Sequence, residues 1–515
     1  MFKLLSDTFI INEIVDSNSS EALLENEINI SDNLPDIEKI VSTEGKININ
    51  SVTVTTDNLT VSGDLLYNII YRSNDEETSV CSTSGKLPFT EEITVPGATD
   101  NMEGQVYTYI DYIDSELISE RNFLIKAVVI LDTDVINKHP VDYISSLESD
   151  GSFQAKTKNI KYTDTVIQSS EEINVNDAVE LSKGSNEISS ILKADAEVYI
   201  TNADVMNERM IVEGICKVDF LFTEDNNLSS TGYVSEEFPF THYIEIKDSN
   251  EDMLRDIKVS LNELTYDVSE NYDNEKKIIE FNANFTVEAK LYDTIEKNII
   301  MDCYSTESQI ELNSQKVNLS SIKDIKETDI KYDNNFDVVS GTIKDIYTVN
   351  ISPKISEKRI FDDKYIVDGF LDVNLLYLNG DVNKIDSAYA SLPFTASIDL
   401  DNDEAKSDIL SDVKINKCNA YRKGNNSVIV NCEINIDMKF KDTDELTVIS
   451  NITETGPLDY NKMPSLIFRV VQPGETIWDI AKNYNVSINY LNEINEISPE
   501  DELTPGTKII IARKV

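Results

Sequence analysis

Beyond Gly63, Gly214 and Gly369 the chain alternates. Leu65, Tyr67, Ile69 and Tyr71 take every second position in the first stretch, Cys216, Val218, Phe220 and Phe222 in the second, and Leu371, Val373, Leu375 and Tyr377 in the third. Between them stand Asn68, Asp219 and Asn374 at one matched place and Leu66, Lys217 and Asp372 at another. A period of two with one apolar face predicts a strand that lies on a core and turns its other face to water. Each stretch leads to a Pro-Phe-Thr phrase whose prolines, Pro88, Pro239 and Pro393, follow the glycines by 25, 25 and 24 residues and one another by 151 and 154. Upstream, Ile37 and Ile40 correspond to Ile188 and Ile191, and these to Ile343 and Ile346. Three landmarks in one order at a domain-sized period mean three copies of one unit.

Within each copy the glycine is expected to mark a bulge or a close backbone approach near the start of the strand. Proline has no amide proton, so LPFT, FPFT and LPFT read as the start of an edge strand, with Phe89, Phe240 and Phe394 anchoring the turn. KININSVTVTT, NFLIKAVVIL, FNANFTVEAKLY and SVIVNCEINIDMKF predict further strands. Short helical segments are expected around DIEKIV and NEISSIL, and the polar stretches near 133–160, 294–330 and 443–465 read as connections. The expected fold is mainly β: three tandem sandwich-like units over 1–150, 151–300 and 301–460.

From Leu466 the pattern changes. Residues 467–471 predict a short strand, and Pro473-Gly474 turns the chain. Thr476 with Asp479 has the spacing of a capping box, which satisfies the free amides that open a helix. That helix should reach about Tyr484, with Ile477, Ile480 and Ala481 at core spacing; Ser487 should cap a second helix carrying Ile488, Leu491 and Ile494; Lys508 to Ala512 returns as a strand. The result is a β-α-α-β unit over 466–515.

Composition narrows what such a chain does. Its 515 residues carry 94 Asp plus Glu against 45 Lys plus Arg, a formal charge of −49. So negative a surface repels phosphate backbones and anionic headgroups, which disfavours nucleic acid and bare membrane as partners. From 466 onward the charge is only −2, leaving −47 on the remainder, so the C-terminal unit is the surface least guarded by repulsion. Cys81, Cys216, Cys303, Cys418 and Cys432 are scattered without a CxxC pair, which points to reduced thiols and away from disulfides or zinc. His139 and His242 are the two histidines; His139, before Pro140 in a polar stretch, reads as a surface residue. The N-terminal residues are interrupted by Asp7, Asn12, Glu13 and Asp16 and lack a small-residue cleavage site, and no run approaches the ~18 apolar residues of a membrane span. An intracellular, soluble protein without direct membrane insertion is expected. P-loop, GxSxG, HExxH and dinucleotide glycine motifs are lacking, and adjacent acids such as Glu91-Glu92 and Asp362-Asp363 are unsurprising in so acidic a chain. No enzyme, catalytic residue, metal or cofactor is expected.

The V-x-G strand followed by LPFT-x-x-I resembles the SPOCS module of spore coat proteins. Residues 466–515 look like a LysM module, whose pattern V-x-x-G-[DE]-T-[LI]-W-x-I-A is met from Val471 to Ala481, with Ile511-Ala512 where Ile-Pro is frequent. The LysM resemblance implies N-acetylglucosamine-glycan binding by two loops, here Gly474, Glu475, Thr476 and Ile477, and Asn495, Glu496 and Ile497 through Pro499. SPOCS modules followed by one LysM are similar to the SipL family. That resemblance implies a different use: a LysM that binds the coat morphogenetic ATPase SpoIVA, in the mother cell at the forespore surface, with other coat proteins as partners of the SPOCS modules. It makes peptidoglycan the weaker alternative. Trp478, the single tryptophan, fits both a small domain's core and an interface anchor. Leu466, Ile467 and Phe468 are more consecutive apolar residues than one strand face buries; Leu466, with Ile467, Ile477 and Trp478, forms the expected partner-contacting set.

Overall fold

The computed structural model describes residues 2–74, 80–149, 152–224, 227–339, 341–459, 464–498 and 503–512. The first repeat comprises β1 (Lys3–Asn29), β2 (Ile37–Thr55), β3 (Asn58–Ser73), β4 (Val80–Thr94), β5 (Glu103–Ser119) and β6 (Asn122–Glu148). The second comprises β7 (Phe153–Glu180), β8 (Ile188–Met206), β9 (Arg209–Glu224), β10 (Asn227–Glu245), β11 (Leu254–Glu270) and β12 (Lys276–Ser305). The third comprises β13 (Ser308–Asp337), β14 (Ile343–Phe361), β15 (Lys364–Asn379), β16 (Lys384–Asp399), β17 (Asp408–Lys423) and β18 (Ser427–Pro457). Each repeat is two antiparallel three-stranded sheets, β2-β3-β4 over β1-β6-β5 in the first, with the same order in the others. The alternating residues after the glycine meet those of the last strand: Leu65, Tyr67, Ile69 and Tyr71 pack on Phe123, Ile125 and Ala127. Cys216, Val218, Phe220 and Phe222 likewise pack with Ile279, Phe281 and Ala283. The repeats are β-sandwiches, as expected.

The recurring phrase is one half of a cross-strand pair. Gly63 lies opposite Phe89, Gly214 opposite Phe240 and Gly369 opposite Phe394. A Cβ on Gly63 would come within 2.7 Å of the Asn48 carbonyl and 2.8 Å of the Phe89 ring; on Gly214 it would come within 2.6 Å of both the Tyr199 carbonyl and the Phe240 ring. The glycine leaves room for the phenylalanine to lie across the backbone, so the two residues recur together. The proline sits inside an edge strand rather than at its start: Pro88 pairs with Asp64 in mid-β4. An edge position tolerates the missing donor.

The helices expected around DIEKIV and NEISSIL are strand. β2, β8 and β14 each open with two β-bulges, between Ile37/Lys39 and Ile40/Ser42, Ile188/Ser190 and Ile191/Lys193, and Ile343/Asp345 and Ile346/Thr348. A bulge inserts one unpaired residue, so the side-chain face repeats after three positions instead of two. Ile37 and Ile40 therefore reach the same core, as do Ile188 and Ile191.

Most of the length read as connection is also strand, over 133–148, 153–160, 294–305, 308–330 and 443–457, while β18 ends at Pro457 and leaves a connection to β19. β1/β6, β7/β12 and β13/β18, the first and last strands of each repeat, run past their sandwiches as long antiparallel ribbons, so His139 lies on β6 opposite Ile11 and not in a loop. The chain turns between β12 and β13 at 306–307. Register places Phe9, Ile160 and Val317 at equivalent positions, as it does Ile11, Tyr162 and Leu319, and Tyr143, Ile299 and Val448. All nine fall in one buried cluster, so the ribbons form a three-way stem. A second junction gathers Val41, Leu192 and Tyr347 with Ile70, Leu221 and Leu376, again equivalent triplets from the three inner sheets.

The three repeats thus surround a pseudo-threefold axis, and polar contacts link each to the next. Lys193 meets Glu44 at 2.6 Å between first and second, Lys439 pairs with buried Asp256 between third and second, and the third returns to the first through Ser387 Oγ, which donates to the Val41 carbonyl, and Lys39–Asp386 at 3.0 Å. Burial opposes the charge on Lys193, but Glu44 and Asp195 outweigh it and raise the amine above its ordinary value. The ring is closed.

Gly214→Ala should force the Phe240 ring off the sheet at a cost of about 1–3 kcal/mol, the usual range for overpacking. It should lower the urea denaturation midpoint, and Gly214→Ala with Phe240→Leu should recover part of the loss.

Candidate functional site

The C-terminal unit is built from β19 (Leu466–Val470), α1 (Ile477–Tyr484), α2 (Ile488–Asn495) and β20 (Lys508–Ala512). β19 and β20 pair antiparallel, Leu466 opposite Ala512 and Phe468 opposite Ile510. The expected capping box is present: the Thr476 hydroxyl accepts from the Asp479 amide, and the Asp479 carboxylate accepts from the Thr476 amide at 2.9 Å. Ser487 precedes α2 as its N-cap residue, but its side chain makes no capping bond. Val471, Trp478, Ile480, Ala481, Leu491, Ile509 and Ile511 form the core, and Tyr304 from β12 belongs to the same cluster.

The two expected groove loops spend three of their polar side chains, those of Glu475, Thr476 and Asn495, internally. Glu475 accepts from Arg469 at 2.5 Å, and this pairing holds its carboxyl below the usual range. Thr476 is engaged by Asp479, whose pKa is lowered first by the Thr476 hydroxyl and then by its amide. Asn495 donates to the carbonyls of Leu491 and Ile510 at 2.8 and 2.7 Å and accepts from the Ile510 amide at 2.7 Å, stapling α2 to β20. Gly474, at φ +78°, has open space around it, Glu496 ends α2 at φ +53°, and Ile477 and Ile497 lean on the core. Pro499 lies outside the described residues. What the described residues of the two loops offer a ligand is backbone and the exposed Glu496 side chain.

The outer face of the hairpin is different. Leu466 is 52% exposed, Phe468 72%, Val470 47% and Ile510 38%. They form one apolar strip, whereas Ile467 points to the core. Leu466 was expected outward; Phe468, Val470 and Ile510 complete the strip, and the alternation Leu466-x-Phe468-x-Val470 is the sequence feature that announces it.

Trp478 is not on this surface. Its side chain is 8% exposed, its ring meets Tyr304 edge-on at 5.2 Å, and its indole donates to Asp302 at 2.8 Å. Lys482 reaches the same carboxylate at 2.6 Å. Tyr304 donates to the Val486 carbonyl at 2.8 Å, and Asn485 to that of Ser305 at 2.9 Å. The tryptophan expected to contact a partner is sequestered inside the chain, at the tip of the second repeat's stem. Burial also pushes the nearby Cys303 thiol up to about 12, with Asp302 adding to the shift. Like the other four cysteines, all among the described residues, it forms no disulfide.

The family described as SipL, SPOCS domain, matches at residues 36–118, 187–269 and 342–423, and the LysM domain family matches at 470–512. This is a SipL-like protein of three SPOCS domains and one LysM domain. The matched SPOCS segments run in each repeat from the bulged strand β2, β8 or β14 through β5, β11 or β17, so the cross-strand glycine and phenylalanine lie inside the domain. The stem ribbons fall outside the matched segments. No curated protein and no solved structure matches the chain. SPOCS domains of the SipL type place the chain in a sporulation context, and LysM is a glycan-binding class of module. Among the described residues no helix is long and apolar enough to cross a membrane.

Thr476→Ala should cost the LysM domain about 1 kcal/mol, the usual loss of an N-cap, read as a lower thermal midpoint of Trp478 fluorescence. Asp479 and Glu475 both have depressed pKa values, so their stabilisation is present above the unfolded values of about 3.9 and 4.3 and disappears as pH falls through the folded ones. Acid titration of that fluorescence should show the loss below about pH 4, and Asp479→Asn should flatten it.

Proposed function

We propose that this chain is a non-catalytic scaffold of spore coat assembly, acting in the mother cell at the forespore surface. Its LysM domain recruits the coat morphogenetic ATPase SpoIVA, and its SPOCS ring engages other coat proteins. The observation that carries this reading is the strip Leu466, Phe468, Val470 and Ile510. Exposed apolar side chains on a two-stranded sheet suit a protein partner, because contiguous exposed apolar patches mark protein interaction sites. The strip also lies on the domain with the least charge repulsion, at −2 against −47 for the remainder.

The alternative, peptidoglycan or another N-acetylglucosamine glycan, draws support from the LysM match and the open backbone at Gly474. Against it, the side chains of Glu475, Thr476 and Asn495 are already hydrogen-bonded within the domain. A sugar would have to find most of its partners on the backbone.

The full chain and its Leu466→Asp and Phe468→Asp variants should be measured against the purified ATPase by biolayer interferometry and against peptidoglycan by co-sedimentation. Binding to the ATPase that weakens at least tenfold in each variant, about 1.4 kcal/mol, with circular dichroism unchanged, is the expected result. Co-sedimentation with the wall, unaffected by either substitution and without ATPase binding, would replace the scaffold reading with glycan recognition.

A further inference from the structure

The three stem ribbons are equivalent in register, and the second, β7/β12, holds the LysM domain. At the stem tip, Asp302 and Tyr304 of β12 correspond to Ser146 and Glu148 of β6 and to Asn451 and Thr453 of β18. Of these, β12 alone combines a carboxylate with a phenol two residues on. The carboxylate takes the Trp478 indole at 2.8 Å and the Lys482 amine at 2.6 and 2.8 Å, so one anion satisfies two donors. The phenol enters the LysM core against the indole and reaches the Val486 carbonyl at 2.8 Å. A tryptophan, a charge-assisted bond and a buried tyrosine are the ingredients of an interface hot spot. Here both partners belong to one chain.

We propose that Asp302 and Tyr304 are an intrachain latch that masks a recognition face of the LysM domain. In the docked state shown by the structure, α1 presents Trp478, Lys482 and Asn485 to the chain's own β12, and other proteins meet the domain at the strip on β19 and β20. Undocked, the same face binds an extended acidic-aromatic strand of pattern Asp-x-Tyr, the pattern that β12 supplies. β18 ends at Pro457 and β19 begins at Leu466, and so short a tether holds the latch at high effective concentration. A competing strand must therefore bind more tightly than β12 would as a free segment. The latch does not depend on which protein the strip recruits.

Trp478 is the only tryptophan, so its fluorescence in the full chain reports the latch directly. Asp302→Asn and Lys482→Gln break the ion pair from opposite sides, and Ser146→Asn changes the equivalent, unlatched position. Acrylamide quenching should rise several-fold with a red-shifted emission in both of the first two variants and stay at the wild-type level in the third, with circular dichroism unchanged throughout. A synthetic peptide spanning residues 299–306 should restore shielding in the Asp302→Asn variant and leave the wild type unaltered. Wild-type quenching in Lys482→Gln, whose substitution lies outside the stem, would overturn the latch even if Asp302→Asn fails to fold. Release without any effect of the peptide would overturn the strand-recognition face.

Discussion

The long ribbons formed by the first and last strands of each repeat bury Phe9, Tyr143, Ile160, Tyr162, Ile299 and Val448 in one shared cluster. One ribbon alone would leave that face in water. Burying each large side chain contributes on the order of 1.5–3 kcal/mol, so the stem assembles as a threesome or leaves several such side chains exposed. The sandwiches are secondary to this constraint. Each has its own core, but its place in the ring follows from where its ribbon joins the stem and from the second junction at Val41, Leu192 and Tyr347. With both ends of the axis held, the polar links between repeats fall into register, including Lys193 with Glu44 and Lys39 with Asp386.

Much of this was legible in the residues, and what was not has a physical cause. The alternation after Gly63, Gly214 and Gly369 reports a strand because one face of β3, β9 and β15 is buried and the other is not. The steady spacing from glycine to Pro-Phe-Thr reports a hairpin of constant length, although only the register shows that phenylalanine lies on glycine. The helix expected at DIEKIV came from a region where two bulges break the period of two. The stem was read as connection because its outward face is polar and its inward face is covered by other repeats, which local pattern cannot reveal. Pairing of Asp302 with Trp478 and Lys482 spans 176 and 180 residues, and nothing in either segment alone announces it.

The C-terminal domain shows how a familiar pattern can be kept for different reasons. Thr476 and Asp479 open a helix, Glu475 holds Arg469, and Asn495 ties α2 to β20. Each is explained by the domain's own folding, so their presence in a LysM pattern speaks to the fold more than to a sugar. The residues that folding does not use, Leu466, Phe468 and Val470, are the ones left facing outward. Tyr304 makes the point from the other side, since a residue of the second repeat completes the hydrophobic core of the last domain.

On the axis itself, equivalent positions in β5, β11 and β17 carry Tyr107, Lys258 and Asp412, with the Lys258 amine 4.3 Å from the centre of the Tyr107 ring. Three separate copies of one repeat would have to place the same residue there three times, and three lysines or three aspartates would repel. Fusion into a single chain lifts that restriction and lets each place on the axis be chosen for its neighbours. It also gives the ring a handedness of composition: going round it, no two thirds are interchangeable. A true trimer would offer its ligands three identical berths and fill them in threes. In this chain each of the three places on the axis is different, so a partner meeting the ring would find one copy of each surface and not three.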